Sequence, residues 1–131
     1  MTFFKSLFGS SKVEEEKNAK LFPWLPLTAV EQLEDISKKS KTKLQLIFKH
    51  STSCGISRMV IKMFTSGFDV PEDSVDVYYL DLHQYREVSN ETGYKFQVMH
   101  QSPQVLVIKD GVVVAHASHG AISEIDIENY I

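Results

Sequence analysis

Apolar residues along this chain follow two periods, one of two residues and one of about 3.6. Lys43-Leu44-Gln45-Leu46-Ile47-Phe48-Lys49 and Val75-Asp76-Val77-Tyr78-Tyr79-Leu80-Asp81-Leu82 are short runs rich in β-branched and aromatic residues, and they read as strands. Gln104–Ile108 and Val112–His116 are two more. Lys109-Asp110-Gly111 joins them, and Asp-Gly between such runs signals a hairpin. Helical spacing appears at Val30, Leu33 and Ile36, and again at Ile56, Val60, Ile61 and Phe64. Thr28, with Glu31 three residues on, forms a capping box for the first helix, and Ser37-Lys38-Lys39-Ser40-Lys41 closes it with positive charge. The second helix should open at Cys54 and run to about Thr65, and a short one should span Tyr85 to about Thr92. Ser123 is placed to cap a last helix, with Glu124 and Asp126 in its first turn. Leu21–Leu27 is apolar but carries Pro23 and Pro26, so it fits only an edge strand or an extended segment.

These elements predict an α/β domain: a mixed four-stranded sheet with helices on both faces, and a short extra N-terminal strand as an option. The strands ending at Lys49 and Leu82 flank a helix long enough for a parallel crossover, and the hairpin adds antiparallel strands. Residues 21–131 form this domain and residues 1–20 a tail. The apolar start, Met1–Phe8, is short and lacks a basic lead, which argues against a signal peptide. It reads first as a tail and second as a hook for a partner or a membrane surface; its low basic content ranks membrane contact through residues 1–9 below the tail.

At 131 residues the chain suits one domain, and 43% hydrophobic with 24% charged residues is ordinary for a folded protein. A net charge of −3 gives no electrostatic case for nucleic acid. One cysteine cannot close an internal disulfide, which fits a reducing compartment. His116 and His119 have metal-ligand spacing but no further ligand nearby, so no metal site is expected.

Cys54 is that one cysteine, and it falls where a strand should become a helix. A thiol there meets unpaired backbone N–H groups and the positive end of a helix dipole, both of which favour thiolate. Lys49 and His50 are expected to add positive charge, and Ser57 to donate a hydrogen bond to the sulfur. Free cysteines are often simply buried, but Ser51, Thr52, Ser53 and Gly55 suit a loop rather than a core. The carboxyl end of a central strand is also where open α/β sheets place ligands. Pro103 opens the first hairpin strand, and the Ser102–Pro103 bond is expected to be cis and to lie against Cys54. Trp24, between two prolines, is expected to pack.

Strand, Cys-x-x-Ser at a helix start, then a proline opening a hairpin strand resembles the thioredoxin fold. Two stretches are closer to one family within it. Phe48-Lys49-His50-Ser51-Thr52-Ser53-Cys54-Gly55-Ile56-Ser57 is similar to the active-site segment of the single-cysteine bacilliredoxins. Arg86-Glu87-Val88-Ser89-Asn90 with His100-Gln101-Ser102-Pro103-Gln104 is similar to that family's second signature. The resemblance covers roughly residues 24–130. It implies a cytoplasmic thiol–disulfide oxidoreductase that removes bacillithiol, or a similar small thiol, from proteins carrying it as a mixed disulfide. It implies Cys54 as the attacking thiol and Pro103 as the cis-proline facing it, with no bound cofactor and the small thiol as co-substrate. Family members often carry proline where this chain has Gly55, and glycine there loosens the helix start.

Without a resolving cysteine, an external thiol must regenerate Cys54. Ser57 is assigned to hold the thiolate. Ser53, Gly55, Arg58, Ser102 and Gly120 are the candidate substrate-binding residues. Ser102 offers backbone to an extended substrate, Arg58 a guanidinium to a carboxylate, and Gly120-Ala121 resembles a turn that holds a small thiol's carboxylate. Two other classes remain open: an iron–sulfur carrier like the monothiol glutaredoxins, which share Cys-Gly-x-Ser, and a non-catalytic thioredoxin-fold binding module. Ile56 and Ser102 depart from the glutaredoxin pattern. Visible absorbance separates the former from an exchanger, and thiol reactivity separates the latter. The native thiol, the protein substrates and the oligomeric state are left open by the sequence.

Overall fold

The computed structural model describes residues 22–131; the expected tail, residues 1–20, lies outside them. Five strands form one sheet: β1 (Trp24–Pro26), β2 (Leu44–His50), β3 (Val75–Asp81), β4 (Gln104–Lys109) and β5 (Val112–Ser118), in the order β1-β3-β2-β4-β5. β1 and β2 run parallel to β3, whereas β4 is antiparallel to β2 and to β5. The optional N-terminal strand is therefore real. Its two prolines are tolerated because β1 is an edge strand. Three helices complete the framework: α1 (Glu31–Lys39), α2 (Gly55–Gly67) and α3 (Arg86–Phe96).

β2 is buried at every residue and divides the core into two layers. Leu44, Leu46 and Phe48 meet Val60 and Phe64 of α2 on one face, with Ile122 and Ile127 beside them. Ile47 points the other way, toward Leu33 and Ile36 of α1 and Val88 and Phe96 of α3. Alternation along a strand produces this division, because successive side chains leave opposite faces. Trp24 packs as expected, 5.8 Å from Phe48 and 6.1 Å from Phe64 between ring centroids. The β4–β5 turn has Asp110 at φ 53° and Gly111 at φ 81°, the positive values that a tight Asp-Gly hairpin needs.

Two termini differ from the sequence expectation. Val30 precedes α1 as its N-cap residue, and Gln32 performs the back-reach assigned to Thr28 and Glu31. Its Oε1 accepts from the Thr28 and Ala29 N–H groups at 2.8 and 3.0 Å. The expected last helix is instead two 3-10 turns, His119–Glu124 and Ile127–Tyr130. Ile122 and Ile127 are both buried. Five residues apart, they would lie about 140° apart on one straight helix, so two turns are needed to seat both. Ser123 Oγ donates to the Gly120 carbonyl at 2.9 Å rather than capping. No helix among the described residues is long and apolar enough to cross a membrane.

Candidate active site

Cys54 is half-buried and is the N-cap residue of α2, with extended backbone (φ −102°, ψ 123°). Its carbonyl accepts the first helical bond, from Arg58 N–H at 3.0 Å, and its own N–H donates to Ser51 O at 3.2 Å. The polar run Ser51–Ser53 is thus a tight turn between β2 and α2, as the residue types suggested.

Register brings the other candidates to the same end of the sheet. Gln104 pairs with Lys49, so antiparallel β4 begins where β2 ends, with Ser102 and buried Pro103 just before it. The Ser102–Pro103 bond is cis. Gln104 holds this loop: Nε2 donates to Met99 O at 3.0 Å, and Oε1 accepts from Gln101 N–H at 3.4 Å. β5 ends opposite Gln104, and His119 N–H donates to Pro103 O at 3.0 Å, which places the exposed Gly120 turn beside that proline.

Three expectations about the thiol's neighbours change. Ser57 shares the inward face of α2 with Val60 and Phe64 and is fully buried. Its Oγ pairs with His50 Nδ1 at 2.8 Å and accepts the Ser51 N–H at 3.1 Å. The hydroxyl assigned to the sulfur therefore braces the turn that carries the sulfur. Helix geometry explains this: the third residue of α2 points into the core, not past the helix end. His50 is not a source of positive charge. Burial lowers its pKa; Asp81 opposes that and Arg58 adds to it. Lys49 leaves β2 on the face away from α2 and is fully buried.

Arg58 is the cation that does reach this turn. Its Nη1 donates to Thr52 O at 3.1 Å. A Cβ built on Gly55 would meet Arg58 Nη2 at 3.8 Å, an ordinary contact, so the backbone does not demand glycine there. Ser53 is exposed on the same turn. His83 was missed by sequence reasoning. Its Nε2 lies 2.8 Å from Ser51 Oγ, and it follows β3, whose end is level with His50. His100 was seen only as part of a signature segment; its Nδ1 lies 3.4 Å from Lys49 Nζ.

A parallel β-α-β core, an antiparallel hairpin and one cysteine at the start of α2, at the sheet end where β4 begins after Pro103, define a thioredoxin-fold redox protein of the monothiol kind. Structural neighbours agree on the fold. A thioredoxin-fold protein is 30% identical, with a TM-score of 0.66, over 76% of this chain and 86% of that one. Thioredoxin from Malassezia sympodialis is 19% identical, with a TM-score of 0.62, over 80% and 84%. Thioredoxin from Trypanosoma brucei brucei is 17% identical, with a TM-score of 0.62, over 79% and 85%. Residues 25–127 match the family described as monothiol bacilliredoxin BrxC, and the chain belongs to that family.

Proposed function

We propose that this protein removes bacillithiol, or a similar small thiol, from proteins that carry it as a mixed disulfide. The Cys54 thiolate attacks the small-thiol sulfur, the target protein leaves as a thiolate, and a new disulfide joins Cys54 to the small thiol. A second small-thiol molecule then attacks that sulfur. Cys54 leaves as thiolate and the two small thiols depart as their disulfide, so no resolving cysteine and no bound cofactor are required. The observation that carries this reading is the placement of the chain's single cysteine at the N-cap of a 13-residue helix, at the sheet end shared with Ser102–Pro103.

The substrate is expected to run along Ser102, whose backbone is offered to an extended segment beside β4. Ser53, Gly55 and Arg58 on the α2 side and Gly120 on the β5 side are the residues expected to meet the substrate. The action is expected in the cytoplasm. Incubating the reduced protein with a bacillithiolated target tests this: mass spectrometry should find one bacillithiol on Cys54 and a free thiol on the target. Release of neither sinks the proposal.

A further inference from the structure

Ser51 is buried, and each of its polar atoms is engaged in holding the turn before α2. Its carbonyl accepts the Cys54 N–H at 3.2 Å, and its own N–H donates to Ser57 Oγ at 3.1 Å. Its Oγ lies 2.8 Å from His83 Nε2 and 3.4 Å from Ser53 Oγ. Ser53 and Ser57 are neighbours along the chain. His83 is not: it reaches the turn from beyond β3, 32 residues away in sequence.

The backbone at His83 is held on both sides although the residue itself is exposed. Asp81 Oδ1 accepts the N–H groups of His83 and Gln84, each at 3.2 Å, and the Asp81 carbonyl accepts the Tyr85 N–H at 2.9 Å. Such an aspartate shapes a turn, because its side chain satisfies the N–H groups that follow it. Leu82 is buried, and its N–H donates to the His50 carbonyl at 3.1 Å, which ties this loop to the residue before Ser51. The turn thus aims an exposed imidazole back at a buried hydroxyl. Buried hydroxyls are normally satisfied. At 3.4 Å Ser53 is a long partner for one, so the short contact with His83 is the one that fixes Ser51 Oγ.

We propose that His83 is a positioning residue for Cys54. It acts through Ser51 Oγ and fixes, from the loop after β3, the turn that Ser57 fixes from α2. The Ser51 carbonyl, and with it the Cys54 N–H, is thereby held in one place, which sets the line along which the thiol attacks. No bond is made or broken at His83. Its effect is on orientation, and a small displacement of a nucleophile is enough to slow its reaction. The assignment rests on Cys54 as the attacking thiol and not on the identity of the small thiol.

The test uses three replacements at His83 and one at Ser51. Cys54 is the chain's one cysteine, so the rate of iodoacetamide alkylation at pH 7 reports that thiol alone. His83→Ala and His83→Leu should each slow alkylation about fivefold, the order of one hydrogen bond. His83→Gln, whose amide still meets Ser51 Oγ, should recover the wild-type rate to within about twofold. Leucine fills the same space without the polar contact, so this pair separates a hydrogen bond from packing. Ser51→Ala should cost as much as His83→Ala, and the double variant no more than either, because the two residues share one contact. With a bacillithiolated target, kcat should fall in the same order while KM is unchanged. Wild-type rates in His83→Leu, no recovery in His83→Gln, additive losses in the double variant, or a change confined to KM would each overturn the assignment. If the wild-type protein turns over no such target, the exchange reaction fails, and alkylation alone decides the role of His83.

Discussion

The two ends of β2 handle buried polarity in opposite ways. At the start, Gln45 Nε2 donates to Asp76 Oδ2 at 2.8 Å while Lys43 Nζ meets Asp76 Oδ1 at 2.8 Å, so charge is closed on itself. At the end, Lys49 meets a histidine and, among the described residues, no acid, and His50 is tied to Ser57. The charged pair at the start is partly exposed, whereas Lys49 is fully buried, so the two ends also differ in access to water. The closed end is structural. The other end leads into the turn that carries Cys54 and lies level with the start of β4, just after Pro103.

The comparison breaks most sharply at the thiol. Cys54→Ser should abolish mixed-disulfide reduction while leaving thermal unfolding nearly unchanged, because serine still suits an N-cap. A large loss of stability would make the cysteine a packing residue. Next is Lys49. Burial lowers its pKa from 10.5 to about 8. Below pH 8 both folded and unfolded chains carry the proton, and the cost of burying the charge is fully present. Between pH 8 and 10.5 the unfolded chain holds more protons, so stability rises with pH. Lys49→Met should therefore be more stable at pH 7, by on the order of 2–3 kcal/mol, and should lose that rise. Urea unfolding of both proteins at pH 7, 8.5 and 10 checks it, and equal pH profiles would contradict it.

Ser57→Ala removes the acceptor of the Ser51 N–H and the partner of His50 at once. A loss of about 1–3 kcal/mol is expected from these stranded buried groups, together with slower exchange as the turn loosens. Full activity would show that the brace does not position Cys54. The smallest effect belongs to the closed end. Burial alone would raise the Asp76 pKa, but hydrogen bonds from Lys43 and Gln45 and the charges of Lys43 and Lys39 outweigh it and hold it below the usual value. The stability this gives is present above the unfolded carboxylate range near pH 4 and is lost as pH falls through the folded value. Asp76→Asn should flatten that acid limb by about 0.5–1 kcal/mol and leave exchange intact, measured by unfolding from pH 6 to 2.

Patterning alone determined most of the framework: four strands, the crossover helix, the Asp-Gly hairpin and a cysteine at the strand–helix junction. Period-2 and period-3.6 burial are local properties of a chain, so they can be read from it. The paired segments around Cys54 and Pro103 also carried the family. What tertiary structure decided was direction. Lys49 and His50 are adjacent in sequence but leave β2 on opposite faces, one toward His100 and one toward Ser57. Ser57 points into the core because α2 packs on β2 along its Val60–Phe64 face. His83 and His100 lie 29 and 46 residues from Cys54 in sequence, and only sheet register brings them to this end. The last helix failed for the same reason: Ile122 and Ile127 serve a core whose shape no local window contains.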